Sequence, residues 1–338
     1  MKPGIVQSNS AIVQSKPGIM QSKYGRALLI LALLSALPLI RAIPGVNANY
    51  WLHNFILVVM WTIIGMSWNL LSGYCGQVSF GHAAFFGIGA YTSGMLYVKL
   101  GISGWWGMLA SIPVVGAAAL IIGFICLRLR GPFFALATIA VGVILRIVAE
   151  NLVGVTGGDM GIMIRERTWV EKTWYYYIIL ALAAATFWFV DRVIASRLGY
   201  YFVAIREDQD AAESLGIDTT RYKTIALVLS AVLCGFAGAF YTNYMGYIDP
   251  KVVFALHDIS VMAIMVVMVG GVATRWGPIL GAVIMILLAE IIRTIPKVGT
   301  AHHTLFGVLL IVVIIFLPNG VVGDAAKLRR LLRPGRSS

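Results

Sequence analysis

Apolar runs of about 20 residues recur along the chain from Ala27 to Leu317, separated by short polar or glycine-broken links. A run of that length crosses the hydrocarbon core of a bilayer only as a helix, because lipid offers the backbone no hydrogen-bond partners. Composition agrees: 59% of the 338 residues are hydrophobic and 12% are charged, about half the charged share of a soluble domain. A soluble core this apolar would leave too little polar surface to cover it. The expected fold class is therefore an all-α polytopic membrane protein.

The runs predict ten spans, roughly at 27–43, 54–71, 80–98, 107–127, 133–150, 174–190, 224–244, 252–271, 277–295 and 304–317. Eight is the alternative count if the first run, or the boundary between the second and third, is misplaced. Residues 1–26 read as a disordered polar tail with a short duplication, Lys2 to Ser8 repeated as Lys16 to Ser22. Residues 27–320 form the transmembrane domain, and 321–338 a basic tail suited to anionic lipid. The third span carries Gly81, Gly87, Gly89, Ala90 and Gly94, small residues that let helix backbones approach closely.

The net charge of +12 reports orientation rather than nucleic-acid binding. With ten spans, the side holding both termini carries 17 Lys and Arg residues and the other side eight. The positive-inside rule then places both termini and the stretch Ser196–Lys223 in the cytoplasm. Cys75, Cys126 and Cys234 are scattered and lie in or beside apolar segments, which argues against a disulfide framework or a zinc site.

There is no G-x-x-x-x-G-K-[ST] phosphate loop, no H-E-x-x-H and no G-x-S-x-G, and the five histidines show no metal spacing. The expectation is a non-enzyme with neither a metal nor a cofactor of its own. Ser196–Lys223 is the longest polar segment between two apolar blocks. Within it, Glu207–Gly216 predicts a short helix with an acidic start and a closing glycine. The residues alone weigh equally a docking surface and a solvated loop.

Two charge pairs fall within spans, Arg146 with Glu150 and Glu290 with Arg293, each on one helix face. They serve either as snorkelling anchors or as the outer mouth of a solute pathway that meets the two charges of an amino acid. The glycine link from Gly73 to Gly81, with Gln77, Ser79 and His82, is a second pathway candidate, since irregular backbone at membrane depth must be surrounded by protein or water. For His82 the competing role is helix packing.

The segment Gly199-x4-Ala204-Ile205-Arg206-Glu207-x3-Ala211-Ala212-x2-Leu215-Gly216-Ile217 resembles the cytoplasmic coupling loop of ABC importer permeases. Asn69-Leu-Leu-Ser-Gly-Tyr-Cys-Gly-Gln-Val-Ser-Phe-Gly-His-Ala-Ala-Phe-Phe-Gly-Ile-Gly-Ala-Tyr91 resembles the glycine-rich signature of LivM-type branched-chain amino acid permeases. So do Arg130–Thr138, Thr156–Gly161, Gly270–Ala282 and Leu317–Gly320, and the likeness covers about Trp51 to Gly323. The resemblance implies an importer subunit of a bacterial inner membrane. It implies a second, LivH-like permease, two ATPase subunits that bind the ATP, and a periplasmic substrate-binding protein. It implies that Arg206, Glu207, Ala211, Ala212, Leu215 and Gly216 dock on an ATPase, and it makes Arg165, Arg167 and Lys251 candidates for meeting the binding protein. The motifs are weak on substrate, so a urea or sugar permease of the same superfamily stays open. An ion-coupled secondary transporter fits less well, because no predicted span has Asp or Glu at its centre. A purely structural scaffold gives no reason for the coupling segment.

Overall fold

A computed structural model of the protein describes residues 34–42, 47–164, 171–294, 307, 311, 315 and 320–323. It divides into two compact units, Met1–Ala48 and Asn49–Ser338. In the first, the described residues form a 3-10 turn at Leu37–Ala42. The duplicated tail, most of the first and tenth predicted spans, and Arg165 and Arg167 lie outside the described residues.

Among the described residues of the second unit, the regular structure is helical apart from one short two-stranded ribbon. Helix α1, Ala48–Trp68, continues through a wide π turn at Asn69–Tyr74. Then come α2 (His82–Leu100), α3 (Gly104–Cys126), α4 (Pro132–Asn151) and α5 (Lys172–Ile194). Two short helices follow, α6 (Arg197–Glu207) and α7 (Gln209–Ser214). The long α8 (Thr219–Met245), α9 (Met262–Gly270) and α10 (Gly277–Thr294) come next, and a short helical turn is described at Gly320–Gly323. A short helix at Pro250–Val253 and a second π turn at Leu256–Val261 lead into α9. Strands β1 (Ile162–Met163) and β2 (Tyr247–Ile248) pair antiparallel, Ile162 opposite Ile248.

Among the described residues, six helical segments are long and apolar enough to cross a membrane: Ala48–Tyr74, Gly104–Cys126, Pro132–Asn151, Lys172–Ile194, Thr219–Met245 and Pro250–Gly270. Helices α2 and α10 stand where the third and ninth spans were predicted, but α2 is enriched in glycine and polar residues, and α10 is shorter. The chain is thus a multi-pass helical membrane protein.

Helices α2, α3 and α8 form the tightest packing, and glycine explains it. A Cβ on Gly89 would stand 1.9 Å from the Gly235 carbonyl oxygen, and one on Gly238 would stand 2.1 Å from that of Phe86. The two backbones touch, as small residues allow in lipid. Ser93 Oγ and Asn243 Nδ2 both donate to the Gly104 carbonyl at 2.9 Å, pinning the start of α3. Helix α1 is buried along most of its length. By contrast, α3 and α4 turn Leu120, Ile121, Phe124, Phe133, Leu136 and Ile144 outward, as lipid-facing helices do.

The stretch between α1 and α2 is not helical. Its backbone is satisfied by hydroxyls instead. Ser79 N–H donates to Ser72 Oγ at 3.3 Å, Phe80 N–H to Thr138 Oγ1 at 3.1 Å, Gly81 N–H to Ser79 Oγ at 3.1 Å and Ala83 N–H to Ser260 Oγ at 2.9 Å. Irregular backbone survives at this depth because protein surrounds it and supplies partners.

Candidate functional site

The polar stretch 196–216 folds as two helices, not as one helix beginning at Glu207. Ser196 caps α6, its Oγ accepting from Leu198 N–H at 3.2 Å. Glu207 ends that helix. Asp208 is extended, with φ −157° and ψ 111°, and its carboxylate accepts from Ala211 N–H at 3.0 Å, so a fresh N-cap opens α7. The break follows from Asp208, which is a better cap than a helix interior residue. Gly216, with φ +83°, closes α7. Ile217 N–H donates to Ala212 O at 3.1 Å and Gly216 N–H to Glu213 O at 2.9 Å, the paired bonds of a Schellman ending.

One face of this segment is fastened to the bundle. Arg206 Nη1 donates to the Gly73 carbonyl at 3.2 Å, while its Nη2 pairs with Glu207 at 2.5 Å. Arg130, in the α3–α4 link, reaches Asp210 at 2.7 Å and Glu213 at 3.5 Å. Lys223, at the start of α8 and only 2% exposed, donates to the Gln209 side-chain carbonyl. Ala212, also 2% exposed, is turned inward. The other face is open: Ala211 and Gly216 are exposed, and Leu215 is 83% exposed. Of the six residues expected to dock, Ala211, Leu215, Gly216 and Glu207 are therefore presented outward, whereas Ala212 and much of Arg206 are engaged by the chain itself.

Hydrogen bonds from Gln209 and then Thr219 hold the Glu213 carboxyl below the usual glutamate range, with Arg130 a smaller contribution. A depressed folded-state value contributes stability above the unfolded value, about 4.3, and that contribution is lost as pH falls through the folded value. Hydrogen exchange at Ala211–Leu215 is accordingly expected to accelerate, beyond its intrinsic pH trend, as pH drops below about 4.3. Glu213→Gln should remove that step; a step that persists in the variant would assign it to another group.

Gly73, expected in a pathway, lies beside this anchor. It sits in the π turn, where a Cβ would stand 2.1 Å from Asn69 Oδ1 and 3.0 Å from Ala273 N. Asn69, 2% exposed, accepts from Ala273 N–H at 2.8 Å and donates to Thr274 O at 3.0 Å. Ala273 holds a left-handed φ of +54°, a conformation that costs a non-glycine residue about 1 kcal/mol and that the Asn69 bond helps to fix. Next to it, Arg275 pairs with Asp191, at the end of α5, at 2.8 Å. The π turn thus links α6 to the α9–α10 corner.

Ser79 and His82 are fully buried, and His82 Nε2 meets Ser230 Oγ at 2.9 Å. Ser230 and Ser67 are mutually bonded, each hydroxyl donating to the other's carbonyl, at 2.7 and 2.8 Å. Gln77 Nε2 approaches the Cys75 carbonyl at 3.5 Å. Gly81 packs against Thr138. These residues and Gly73 lie in and around the link between the π turn and α2.

A cavity of about 340 Å³ opens elsewhere. It lies among α1, α8, α9, α10 and the π turn Leu256–Val261, and of the expected pathway residues only Glu290 reaches it. Tyr50 hydroxyl donates to Glu290 Oε1. Because α1 and α10 run antiparallel, with Asn69 near Ala273 and Tyr50 near Glu290, the cavity is at the far end from the α6–α7 segment. His53, His257 and Asp258 also line it. The sequence reading did not single these out, although Asp258 and His257 are the ionisable pair opening an otherwise apolar run. Glu150 is elsewhere, 3.5 Å from Arg146 on α4. The side chain of Arg293 lies outside the described residues, and Lys251 pairs with Asp159 at 3.3 Å.

The family described as branched-chain amino acid transport system / permease component matches residues 51–317. The chain belongs to that permease family. Among its relatives is the high-affinity branched-chain amino acid transport system permease protein LivM of Salmonella typhimurium. That protein is 29% identical over 296 residues, which cover 79% of this permease and 68% of the relative. A probable LivM of Methanocaldococcus jannaschii is 22% identical over 329 residues, covering 79% and 93%. The LivH permease protein of Escherichia coli is 24% identical over 290 residues, covering 78% and 91%. No solved structure matches the permease. The matched region contains every described residue of α6, α7, the Asn69 turn and the cavity wall.

Proposed function

We propose that the permease is the membrane subunit of an ABC importer that carries branched-chain amino acids into the cytoplasm. Separate ATPase subunits drive it, and a periplasmic binding protein feeds it. Ten spans, with both termini cytoplasmic, fit the distribution of Lys and Arg, and the bacterial inner membrane is the matching location. The pairing partner is a LivH-like permease. LivM and LivH relatives, each named a permease protein of a high-affinity branched-chain amino acid transport system, support the assembly and the substrate class.

The observation that carries this reading is the two-faced α6–α7 segment. Its inner face is fastened through Arg206, Gln209 and Ala212, while Glu207, Ala211, Leu215 and Gly216 are left outward. An apolar Leu215 held in the open on a short rigid helix suits a cleft on a soluble partner better than water. Arg165, Arg167 and Lys251 are the proposed contacts for the binding protein, where exposed charge would set on-rate and register.

The test is reconstitution with the neighbouring permease, both ATPases and the binding protein, followed by uptake of leucine, urea or a sugar. Leucine-stimulated ATP hydrolysis coupled to leucine uptake is the expected result. Urea or sugar uptake instead would keep the assembly and replace the substrate, and failure to recruit any ATPase would sink the importer reading. In the same system, Gly216→Pro is expected to uncouple hydrolysis from uptake. Proline cannot take the positive φ of this site and lacks the N–H that Glu213 accepts, a local cost above about 1 kcal/mol. Parental uptake by that variant would remove α7 from the docking assignment.

A further inference from the structure

We propose that the permease carries two seats for anionic phospholipid headgroups, Arg128 with Phe124 at the end of α3 and Arg192 with Trp188 in the last turn of α5. Each guanidinium lies over an aromatic ring one turn earlier, 4.3 Å from the Phe124 centroid and 5.6 Å from that of Trp188. Both rings are turned outward, Phe124 68% and Trp188 58% exposed, and both arginines are exposed. The two seats share one end of the bundle. Arg130, just past Arg128, reaches α7 at Asp210, and α5 runs directly into α6. The assignment does not depend on which solute the permease moves.

A missing counter-ion points to an anion. Among the described residues Arg130, Arg146, Arg206 and Arg275 each pair with a carboxylate, whereas Arg128 and Arg192 form no ion pair. Direction then identifies the anion. A snorkelling arginine extends from the helix end toward water. Arg192 instead leans back along α5, as helical side chains do, and Arg128, already beyond the last turn of α3, folds back over Phe124 as well. Both helices end at this face, so each cation is held on the side of the acyl chains, beside a ring that suits a membrane interface. The phosphate of a lipid is the anion present at that boundary. A guanidinium can bind two phosphate oxygens in its plane while one face rests on the ring. Phosphatidylcholine brings its own ammonium, so an arginine without a partner carboxylate selects a headgroup of net negative charge. Next to the rings the outward faces are apolar, Leu120 and Ile121 on α3 and Ala181 and Ala185 on α5, and the acyl chains of a seated lipid can follow them. A soluble anion would make no use of that surface.

The test uses the permease assembled with its partner subunits, in nanodiscs of phosphatidylcholine doped with a lipid whose headgroup carries a photoreactive diazirine. Phosphatidylglycerol bearing that group should label the peptides holding Phe124–Arg128 and Trp188–Arg192 about fivefold more than phosphatidylcholine bearing it, the weight of one arginine near an anionic surface. Arg128→Gln combined with Arg192→Gln should abolish the preference at both peptides. Arg128→Lys with Arg192→Lys should keep part of it, because an ammonium retains the charge but not the planar fork. The basic run from Lys327 to Arg336 is unchanged in every variant, so general attraction to an anionic bilayer is common to all of them. The parent arm needs no variant, and it decides the matter if a variant fails to assemble. Equal labelling of the parent by the two lipids overturns the proposal. So does an absence of label from both peptides, which would mean that a partner subunit covers these arginines. A preference that survives both glutamines assigns it to other cations, and competition by inorganic phosphate replaces the lipid seat with a site for soluble anions; either result overturns the proposal as well.

Discussion

Gly89→Val is expected to lose its folded state in detergent at temperatures the parent survives. The position faces a backbone, not a side chain: even a methyl group there would stand 1.9 Å from the Gly235 carbonyl oxygen and 2.6 Å from its Cα. No rotamer change on either helix relieves that contact, so α2 and α8 must separate. Gly238 on α8 makes the reciprocal approach to Phe86, and separating the helices also strips that contact. The penalty should reach or exceed the upper end of ordinary overpacking, about 3 kcal/mol, which corresponds to a fall of roughly 5–10 °C in apparent Tm. Size-exclusion chromatography of heated samples measures it. Gly142→Ala on α4 is the control, since a Cβ there meets nothing within 4 Å; its effect should stay within about 0.5 kcal/mol. Equal midpoints for the two variants would mean that α2 and α8 are not in backbone contact.

The second large effect is on coupling. Asn69→Leu removes an acceptor from Ala273 N–H and a donor to Thr274 O, both at a corner that also holds a left-handed alanine. Each half-buried backbone group left unpaired costs about 1 kcal/mol, so the corner loosens without unfolding the bundle. The same turn carries the Gly73 carbonyl that Arg206 binds. A push on α6 therefore reaches α1 at Gly73 and reaches α9 and α10 at Ala273. Those three helices line the cavity at their other ends. Under the proposed importer function, Asn69→Leu should reduce leucine uptake more than tenfold, with ATP hydrolysis largely retained. Arg206→Lys should weaken uptake less, because an ammonium can still reach the carbonyl but loses the planar fork that binds it and Glu207 together. Normal uptake in Asn69→Leu would show that movement reaches the bundle by another route.

Hydropathy made the long helices readable. The run predicted at roughly 133–150 is helical over Pro132–Asn151, and that at 224–244 over Thr219–Met245, because lipid demands length and apolarity whatever the neighbours are. Gly216 as the stop of a short helix was also legible, since it is one of few residues that reverse φ at no cost. The break at Asp208 was not: helix propensity favours continuing from Glu207, and only the cap bond to Ala211 decides otherwise. The two π turns leave no periodic trace. They depend on what packs beside them, as Asn69 does against Ala273. The inward turn of Ala212 and the burial of His82 likewise depend on which helix lies opposite. Glu290 stood out as a charge in an apolar run; that it shares a wall with His53 required the antiparallel meeting of α1 and α10.

The burial of α1 has a consequence for how the protein is made. Chains are synthesised from the N-terminus, so α1 reaches the bilayer long before its partners. Ser230 on α8 and the corner at Ala273 emerge more than a hundred residues after Ser67 and Asn69. Until they arrive, α1 must dwell in lipid or at the insertion machinery with Asn54, Ser67 and Asn69 lacking their final surroundings. The helix that ends at the centre is therefore among the first inserted and the last to be enclosed. Nascent chains halted before α8 should be the ones that membrane quality control recognises.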